Sequence, residues 1–142
     1  MSGMAVPSSA LAAALDRVGD RWSFLIVEAL LDGARRFNEL QQVLPGIAPN
    51  ILTERLRRLE RDGIVLSAPY STHPPRFDYR LTLDGAELAG VLRLLATWGA
   101  ASADAAEPLR HTVCGTALDA RWYCPTCARM AEDEEASELR FA

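Results

Sequence analysis

Apolar residues recur every three or four positions in several stretches of the chain, a spacing that predicts amphipathic helices. The first three helices are expected at about residues 9–18, 21–31 and 37–44. The first begins after Ser8 or Ser9 and the second after Asp20, residues whose side chains suit the N-cap position. A Pro-Gly pair after the third helix is a turn signal.

The helix predicted at residues 49–62 has two contrasting faces. Pro49 opens it and Gly63 ends it in a left-handed turn. We expect its apolar face to pack on the core and its opposite face to present amide and guanidinium groups. The alternative is a surface helix whose arginines are only solvated. The apolar face carries Leu52, Leu56 and Leu59, and the polar face carries Asn50, Glu54, Arg57 and Arg61, with Thr53 on its flank.

Beyond this helix the pattern changes to alternation, which predicts strands at residues 64–70 and 76–81 joined by a loop at 71–75. A long helix follows at about residues 83–98. Its apolar stripe is larger than one small domain needs to cover, which indicates a partner chain. Packing against the second helix is the alternative. The stripe comprises Leu88, Val91, Leu92, Leu95 and Trp98.

This order of elements predicts a winged helix-turn-helix, a mainly α fold with a β-hairpin wing (α+β). The third helix and the turn hold the fourth helix with its polar face outward, and the hairpin flanks that face. A helix of this kind fits the major groove of DNA, and a basic wing reaches phosphates or the minor groove beside it.

The composition, with 142 residues of which 49% are apolar and 24% charged, fits one globular domain and a small appendage. We expect a winged helix-turn-helix domain for DNA binding and dimerisation at residues 1–100, a linker at 101–109, a zinc-ribbon-like hairpin at 110–130 and an acidic tail at 131–142. The sequence has no apolar run long enough for a bilayer and no secretion signal. We therefore expect a cytoplasmic protein with no membrane partner.

The formal net charge of −4 argues against indiscriminate binding to nucleic acid, but the charge is unevenly distributed. Residues 35–80 hold eight arginines and five acidic side chains, whereas residues 132–138 hold five acidic side chains and no basic one. All 15 basic residues are arginine, which suits bidentate contacts to phosphate or guanine. Genomic base composition is an alternative reason for that usage.

The three cysteines are clustered near one of the two histidines, with the spacing His111-x2-Cys114-x9-Cys124-x2-Cys127. Three thiolates and an imidazole are a tetrahedral donor set for structural zinc. Asp119 or water is an alternative fourth ligand. The alternatives to zinc are three reduced cysteines with an unrelated histidine, or a thiol switch at the second x2 pair.

Several fragments in order resemble the HxlR-type transcriptional regulators, over about residues 9–99. They are Gly19-Asp20-Arg21-Trp22, Arg36-Phe37-Asn38-Glu39-Leu40, Leu44-Pro45-Gly46-Ile47, Leu52-Thr53-Glu54-Arg55-Leu56, Leu59-Glu60-Arg61-Asp62-Gly63 and Pro74-Pro75-Arg76-Phe77-Asp78-Tyr79-Arg80-Leu81-Thr82. The resemblance implies a bacterial DNA-binding regulator that works as a homodimer.

In that family the first and last helices form the dimer contact, which here implicates Leu11, Leu15 and the stripe from Leu88 to Trp98. Two positions depart from the family pattern. Ser9 lies near the place of a sensing cysteine found in many relatives, which excludes thiol sensing there. Ala48 replaces the usual Ser cap of the recognition helix.

The expected DNA contacts lie on the fourth helix and the wing. The first turn of a recognition helix usually meets base edges, an Asn can pair with adenine, and an arginine one turn on can reach guanine or phosphate. Arg55 and Arg58 are expected to contact the DNA backbone, and His73 is alternatively a solvated loop residue. The full set is Pro49, Asn50, Thr53, Glu54, Arg55, Arg57, Arg58, His73 and Arg76.

These observations predict a sequence-specific transcriptional regulator acting as a homodimer on double-stranded DNA with a near-palindromic operator. One alternative is a protein-interaction winged helix that does not bind DNA, and another is a redox-responsive regulator using Cys124 and Cys127. No catalytic triad, phosphate loop or open metal site is visible, so we do not expect an enzyme. A small-molecule effector near Trp22 and Trp98 is left open.

Overall fold

A computed structural model of the chain describes residues 9–102 and 107–131. The chain divides into two compact units, Met1–Leu92 and Arg93–Ala142. This division falls within the last helix, and the expected domain bounds at residues 100, 109 and 130 stay predictions. The N-terminal segment, the middle of the expected linker and the acidic tail at 132–142 lie outside the described residues. No helix in the described ranges has the length and apolar character needed to cross a bilayer.

In the part of the chain that the structure describes, five α-helices confirm the predicted helices, with small differences at their ends. The caps form as predicted: the Ser9 hydroxyl accepts from the Ala12 amide at 3.1 Å, and the Asp20 carboxylate accepts from the amides of Trp22 and Ser23. The helices are α1 (Ala10–Val18), α2 (Arg21–Leu30), α3 (Phe37–Val43), α4 (Pro49–Arg61) and α5 (Leu83–Ala100).

A three-stranded antiparallel sheet has the order β1-β3-β2, with β1 at Arg35–Arg36, β2 at Val65–Thr72 and β3 at Pro75–Leu81. The predicted loop at 71–75 is wrong, because pairing continues to Thr72 opposite Pro75. A proline is tolerated at the first residue of a strand, where its missing amide breaks no ladder. Strand β1 was not predicted, since two residues show no periodicity.

The leucine face of α4 lies in the core of the first unit, as predicted. Leu52 and Leu59 have no exposed surface and Leu56 is almost fully buried. They pack with apolar residues of α2, α3 and the start of β2, the most buried of which are Ile26, Val27, Leu40 and Val65. Burial of this face holds α4 with its polar face outward.

Thr82 joins the start of α5 to the end of α4. Its hydroxyl donates to the carbonyl of Gly63 at 2.6 Å and accepts from the amide of Gly85 at 3.0 Å. Gly63 has a φ of 73°, the left-handed conformation predicted for the residue after α4. The recognition helix and the last helix are therefore fixed to each other by backbone and cap interactions.

Residues 107–131 of the second unit contain two small antiparallel pairings. The first is an isolated bridge between Arg110 and Ala117. The second is the pair β4 (Trp122–Cys124) and β5 (Arg129–Ala131), in which Cys124 lies opposite Arg129. The first pairing encloses the turn at His111–Cys114, and the second encloses the turn at Cys124–Cys127.

Candidate nucleic-acid interface

The outward face of α4 is polar and open. Pro49, Asn50, Glu54, Arg57 and Arg61 are exposed, whereas Thr53 is half-buried. Thr53 donates its hydroxyl to the Pro49 carbonyl at 3.0 Å, so its methyl group and a hydroxyl lone pair remain for a ligand. A shallow depression along this face is lined by Asn50, Thr53, Glu54, Arg57, Arg58 and Arg61.

Among the arginines of α4, Arg57 and Arg61 are the most exposed to solvent and therefore the most accessible to a ligand. Arg57 makes no hydrogen bond or ion pair within the part of the chain that the structure describes. Arg61 lies 3.9 Å from the Asp62 carboxylate, and its side chain is 74% exposed. Arg61 was not among the predicted contacts, although its position one turn after Arg57 is the signal that identifies it.

Arg55 and Arg58, the arginines expected to contact the DNA backbone, make contacts within the protein. Arg55 donates to Asp20 at 3.0 Å and to Glu54 at 2.9 Å. Arg58 donates to the backbone carbonyl of Asp16 and lies 3.8 Å from the Asp20 carboxylate. Their guanidinium groups therefore fix α4 against the end of α1 and the start of α2. Contact of these two arginines with the DNA backbone stays a prediction.

Asp20 is the acidic partner in this cluster. Burial raises the pKa of its carboxyl, but hydrogen bonds from the Ser23 hydroxyl and amide and from the Arg55 guanidinium outweigh burial, so that the pKa is lowered. The Ser23 hydroxyl donates at 2.6 Å. The carboxylate thus caps α2 and holds the recognition helix at the same time.

The missing cap predicted at the start of α4 is confirmed, since Ala48 provides no side-chain hydrogen bond. The exposed first-turn amides of α4 also have no intrahelical acceptor, and Pro49 at the first helical position has no amide hydrogen to leave unpaired. The N-terminus of α4 consequently keeps its partial positive charge available for an anion.

The wing is held to the rest of the first unit by β1, which sequence reasoning missed. Arg35 and Arg36 pair with Tyr79 and Asp78 of β3, and the Arg36 guanidinium lies 4.2 Å from the centre of the Tyr70 ring. Arg35 also donates to the carbonyl of Ala29 at 2.6 Å. Nothing in a two-residue strand distinguishes it in the sequence.

The predicted wing contacts, His73 and Arg76, are exposed at or near the hairpin tip. His73 Nδ1 lies 3.2 Å from the Thr72 hydroxyl, and the Ser71 hydroxyl donates to the Pro74 carbonyl at 3.0 Å. These local bonds order the tip while leaving the guanidinium of Arg76 on the surface.

The residues predicted for a dimer contact differ in exposure. Leu92 is 9% exposed and packs in the core of the first unit, and Leu88 is half-buried against that core. The others remain on the surface: Leu11, Leu15, Val91, Leu95 and Trp98. Trp98 is 77% exposed. The stripe is therefore divided between an internal and an external side of α5.

The cysteine segment brings its predicted ligands together in pairs. His111 Nδ1 lies 3.2 Å from the Cys114 sulfur, and the Cys124 thiol forms a hydrogen bond with Cys127. Within the described ranges no three His, Cys, Asp or Glu side chains form one metal-binding group. Asp119, the alternative ligand, lies 3.7 Å from the Arg121 guanidinium.

Hydrogen bonds lower the pKa values of two of these thiols. The hydroxyl and amide of Thr116, followed by His111, lower the pKa of Cys114 to about 7. For Cys124 the amide of Cys127 is the largest cause of a lowered pKa, followed by the Cys127 side chain and the amide of Thr126. A lowered pKa favours the thiolate, which is the form that binds metals and reacts with oxidants.

Comparison with known proteins agrees with this architecture. Residues 17–107 match the family described as HxlR-like helix-turn-helix. An uncharacterized HTH-type transcriptional regulator of Mycobacterium tuberculosis is 39% identical over 118 residues, which cover 80% of this chain and 74% of that protein.

Two solved structures extend the agreement to three dimensions. The redox regulator HypR in its reduced form is 35% identical with a TM-score of 0.64, over 68% of this chain and 95% of its own. The reduced transcriptional regulator YodB from Bacillus subtilis is 31% identical with a TM-score of 0.58, over 73% of this chain and 100% of its own. The chain therefore belongs to the HxlR family of winged helix-turn-helix transcriptional regulators.

Proposed function

We propose that this regulator binds a specific, near-palindromic operator in double-stranded DNA as a homodimer. The observation that carries the proposal is the division of α4, whose leucine face is buried while Asn50 and Arg57 lie on an open polar face. A helix exposed in this way fits the major groove, where base edges present distinct donor and acceptor patterns.

The side chains on this face suit direct readout. Asn50 in the first turn pairs with adenine through its amide, and Arg57 one turn later donates two hydrogen bonds to guanine or binds a phosphate. Thr53 contacts a thymine methyl group or a phosphate, and Glu54 accepts from cytosine. Arg61, near the end of the helix, binds a phosphate and sets the register without reading sequence.

The wing supplies the second part of the interface. Arg76 binds phosphate or enters the minor groove beside the recognition helix, with His73 next to it at the tip. The ring contact between Arg36 and Tyr70 and the pairing of β1 with β3 limit the motion of the hairpin. A wing held in this way contributes to affinity with little loss of conformational freedom.

Homodimer formation through α1 and α5 is supported by the apolar side chains that these helices leave exposed. A two-fold dimer places two recognition helices about 34 Å apart, so its operator has two half-sites about one helical turn apart. Binding to a small-molecule effector remains part of the proposal: Trp22 lines a surface cleft with Leu25 and Ala29 that offers an apolar wall.

The operator-binding proposal is tested by fluorescence anisotropy with DNA from upstream of the protein's own gene. We expect saturable binding that is far tighter than binding to unrelated DNA of the same length. The chain has a net charge of −4, so the contacts to phosphate come from a local group of arginines. The affinity should therefore fall steeply with salt. Equal affinity for both DNAs contradicts sequence-specific recognition. No binding to either DNA favours the protein-interaction alternative.

The variant Arg57→Ala tests which face of α4 meets the DNA. We expect operator binding to weaken by about 1–3 kcal/mol at fixed salt if Arg57 reads a base. Arg93→Ala, which removes an exposed arginine from α5, is the matched control and should bind like the unmodified protein. An unchanged titration for Arg57→Ala, or an equal loss in the control, contradicts the assignment.

A thiol-responsive regulator using Cys124 and Cys127 is the second candidate. It is supported by the hydrogen bond between these side chains and by the similarity to HypR, which is described as a redox regulator. Oxidation of the two thiols to a disulfide by a peroxide or hypochlorite would alter the second unit. The metal measurement described below distinguishes this candidate from a permanent metal site, because a bound metal occupies the same sulfur atoms.

A further inference from the structure

We propose that the turns at His111–Cys114 and Cys124–Cys127 are the two halves of one structural zinc site, completed when the metal draws them together. The inference concerns the second unit and does not depend on DNA binding. It is carried by the matching backbone of the two turns, by the sulfur contacts inside each turn and by the lack of a buried core around them.

The two turns have the same construction. In each, two candidate ligands are separated by two residues, and the residue after the second ligand is left-handed: Gly115 has a φ of 73° and Ala128 a φ of 54°. Among the described residues Ala128 is the only residue other than glycine with a positive φ. The left-handed conformation is energetically unfavourable for a residue that has a side chain. A turn that nevertheless adopts it indicates that the positions of its two candidate ligands are constrained.

Each turn is closed by an antiparallel pairing. The first lies under the bridge between Arg110 and Ala117, with the Gly115 amide donating to the His111 carbonyl at 2.7 Å. The second is enclosed by β4 and β5. Such closure holds the two side chains of each pair on the same side of the turn, as chelation of one ion requires.

The contacts to sulfur also match those of a metal-binding turn. The Cys124 sulfur accepts from the backbone amides of Thr126 and Cys127. The Cys114 sulfur has the Thr116 hydroxyl at 3.3 Å and the His111 ring at 3.2 Å. Hydrogen bonds of this kind orient ligands and offset the charge of thiolates in metal sites.

Residues 107–131 bury almost no side chains that could stabilise their fold. From residue 107 to residue 131 only Cys124 and Ala131 are even half-buried. Large apolar side chains such as Trp122 and Val113 remain on the surface. A segment this small needs a disulfide or a metal to fold stably, and three cysteines with a histidine supply four zinc ligands.

The chemistry of the four candidate ligands indicates which metal they bind and which residue is the fourth ligand. Three thiolates and one imidazole form a closed tetrahedral shell typical of structural zinc, with no open position for catalysis. The Asp119 carboxylate lies 3.7 Å from the Arg121 guanidinium. Because this contact competes with binding to a metal, His111 is the better candidate for the fourth ligand. The two pairs do not form a single group of three or more in the described residues, so binding includes their closure onto the ion.

Elemental analysis of the full-length protein, purified from zinc-supplemented cells under reducing conditions, tests the site. We expect about one zinc per chain. Cys114→Ser and Cys124→Ser should each reduce this content severalfold. His73→Ala, which removes the other histidine of the chain, is the matched control and should keep its zinc. Unmodified protein without stoichiometric zinc, or either cysteine variant with full zinc, overturns the proposal.

Cobalt(II) replacement tests the ligand set. We expect the visible absorption of tetrahedral cobalt with a thiolate charge-transfer band in the unmodified protein and in His73→Ala. His111→Ala should shift the visible bands, and an unchanged spectrum overturns the assignment of His111. Far-ultraviolet circular dichroism shows whether each variant keeps its helices.

A measurement without any variant keeps the proposal falsifiable if a substitution prevents folding. A mercurial reagent should release zinc in proportion to modification of the three thiols. Rapid formation of a disulfide between Cys124 and Cys127 under mild oxidant, with no loss of metal, overturns the site and supports the thiol switch.

Discussion

Arg55 and Arg57 lie two positions apart on α4 and serve different purposes. Arg55 donates to Asp20 and Glu54, and its side chain is 21% exposed. Arg57 lies on the open face of the same helix. Two positions correspond to a rotation of about 200° around a helix, so neighbouring arginines are directed to different surroundings. A count of arginines consequently overstates the number of guanidinium groups on the open face of α4.

The pKa of Asp20 leads to a prediction about stability and pH. Because its folded pKa lies below the ordinary value, the carboxylate stabilises the fold above that value and loses this effect as the pH falls through the folded pKa. We expect Asp20→Asn to lower the free energy of unfolding by about 1–2 kcal/mol near pH 7, since an amide keeps the cap but loses the charge that binds Arg55.

Denaturant unfolding as a function of pH measures the effect. The difference between Asp20→Asn and the unmodified protein should shrink as the pH falls from the ordinary aspartate pKa of about 4 through the lower pKa of the native carboxyl. Asp32→Asn, at an exposed aspartate, should differ little from the unmodified protein at any pH. A difference for Asp20→Asn that stays constant with pH contradicts the electrostatic explanation.

At the scale of elements, the fit of α5 against the end of α4 depends on a glycine in the first turn of α5. A Cβ atom added at Gly85 lies 2.2 Å from the carbonyl oxygen of Ile64, which is a backbone atom and cannot rotate away. Ile64 itself is buried, and its carbonyl also accepts from the Thr82 amide at 3.0 Å. The helix can approach this closely only without a side chain.

Gly85→Ala should therefore destabilise the protein by about 1–3 kcal/mol through overpacking. Gly90→Ala is the matched control on the same helix, because among the described residues no atom beyond its chain neighbours and the backbone of its own helix lies within 4 Å of the added Cβ. There, alanine should be neutral or stabilising by about 0.5–1 kcal/mol. Chemical unfolding of both variants measures the contrast. Equal stability of the two variants contradicts the close approach.

At the scale of the whole molecule, α1 and α5 expose apolar side chains that a single protomer leaves uncovered. Leu11 is 61% and Leu95 45% exposed. Val91, Leu95 and Trp98 recur at helical spacing along one side of α5, whereas Arg93 and Thr97 lie on another. This division supports a homodimer in which α5 supplies part of the contact.

A charge placed within the apolar side should prevent the proposed dimer from forming. We expect Leu95→Glu to shift the protein to monomer in analytical ultracentrifugation, because a buried and unpaired carboxylate is costly. Thr97→Glu adds the same charge to the other side of the helix and should remain dimeric. Operator binding by Leu95→Glu should weaken as well, since one half-site is read by each recognition helix. A dimeric Leu95→Glu variant contradicts the interface.

The sequence by itself determined the order of helices, the hairpin and the two faces of α4. These follow from local periodicity and capping: Leu52, Leu56 and Leu59 recur on one side of a helix that opens at Pro49 and ends before Gly63. The x2 spacing of the cysteine segment is likewise a local property, which defines the two pairs of candidate ligands.

Only the tertiary structure decided which polar side chains are engaged within the protein. Asp20 meets Arg55 across 35 positions of sequence, and the strand at Arg35–Arg36 exists only because β3 pairs with it. Likewise, the core rather than the stripe pattern assigns Leu92 to the inside of α5. Local patterns specify the faces of an element, but contacts between distant residues depend on how the elements pack.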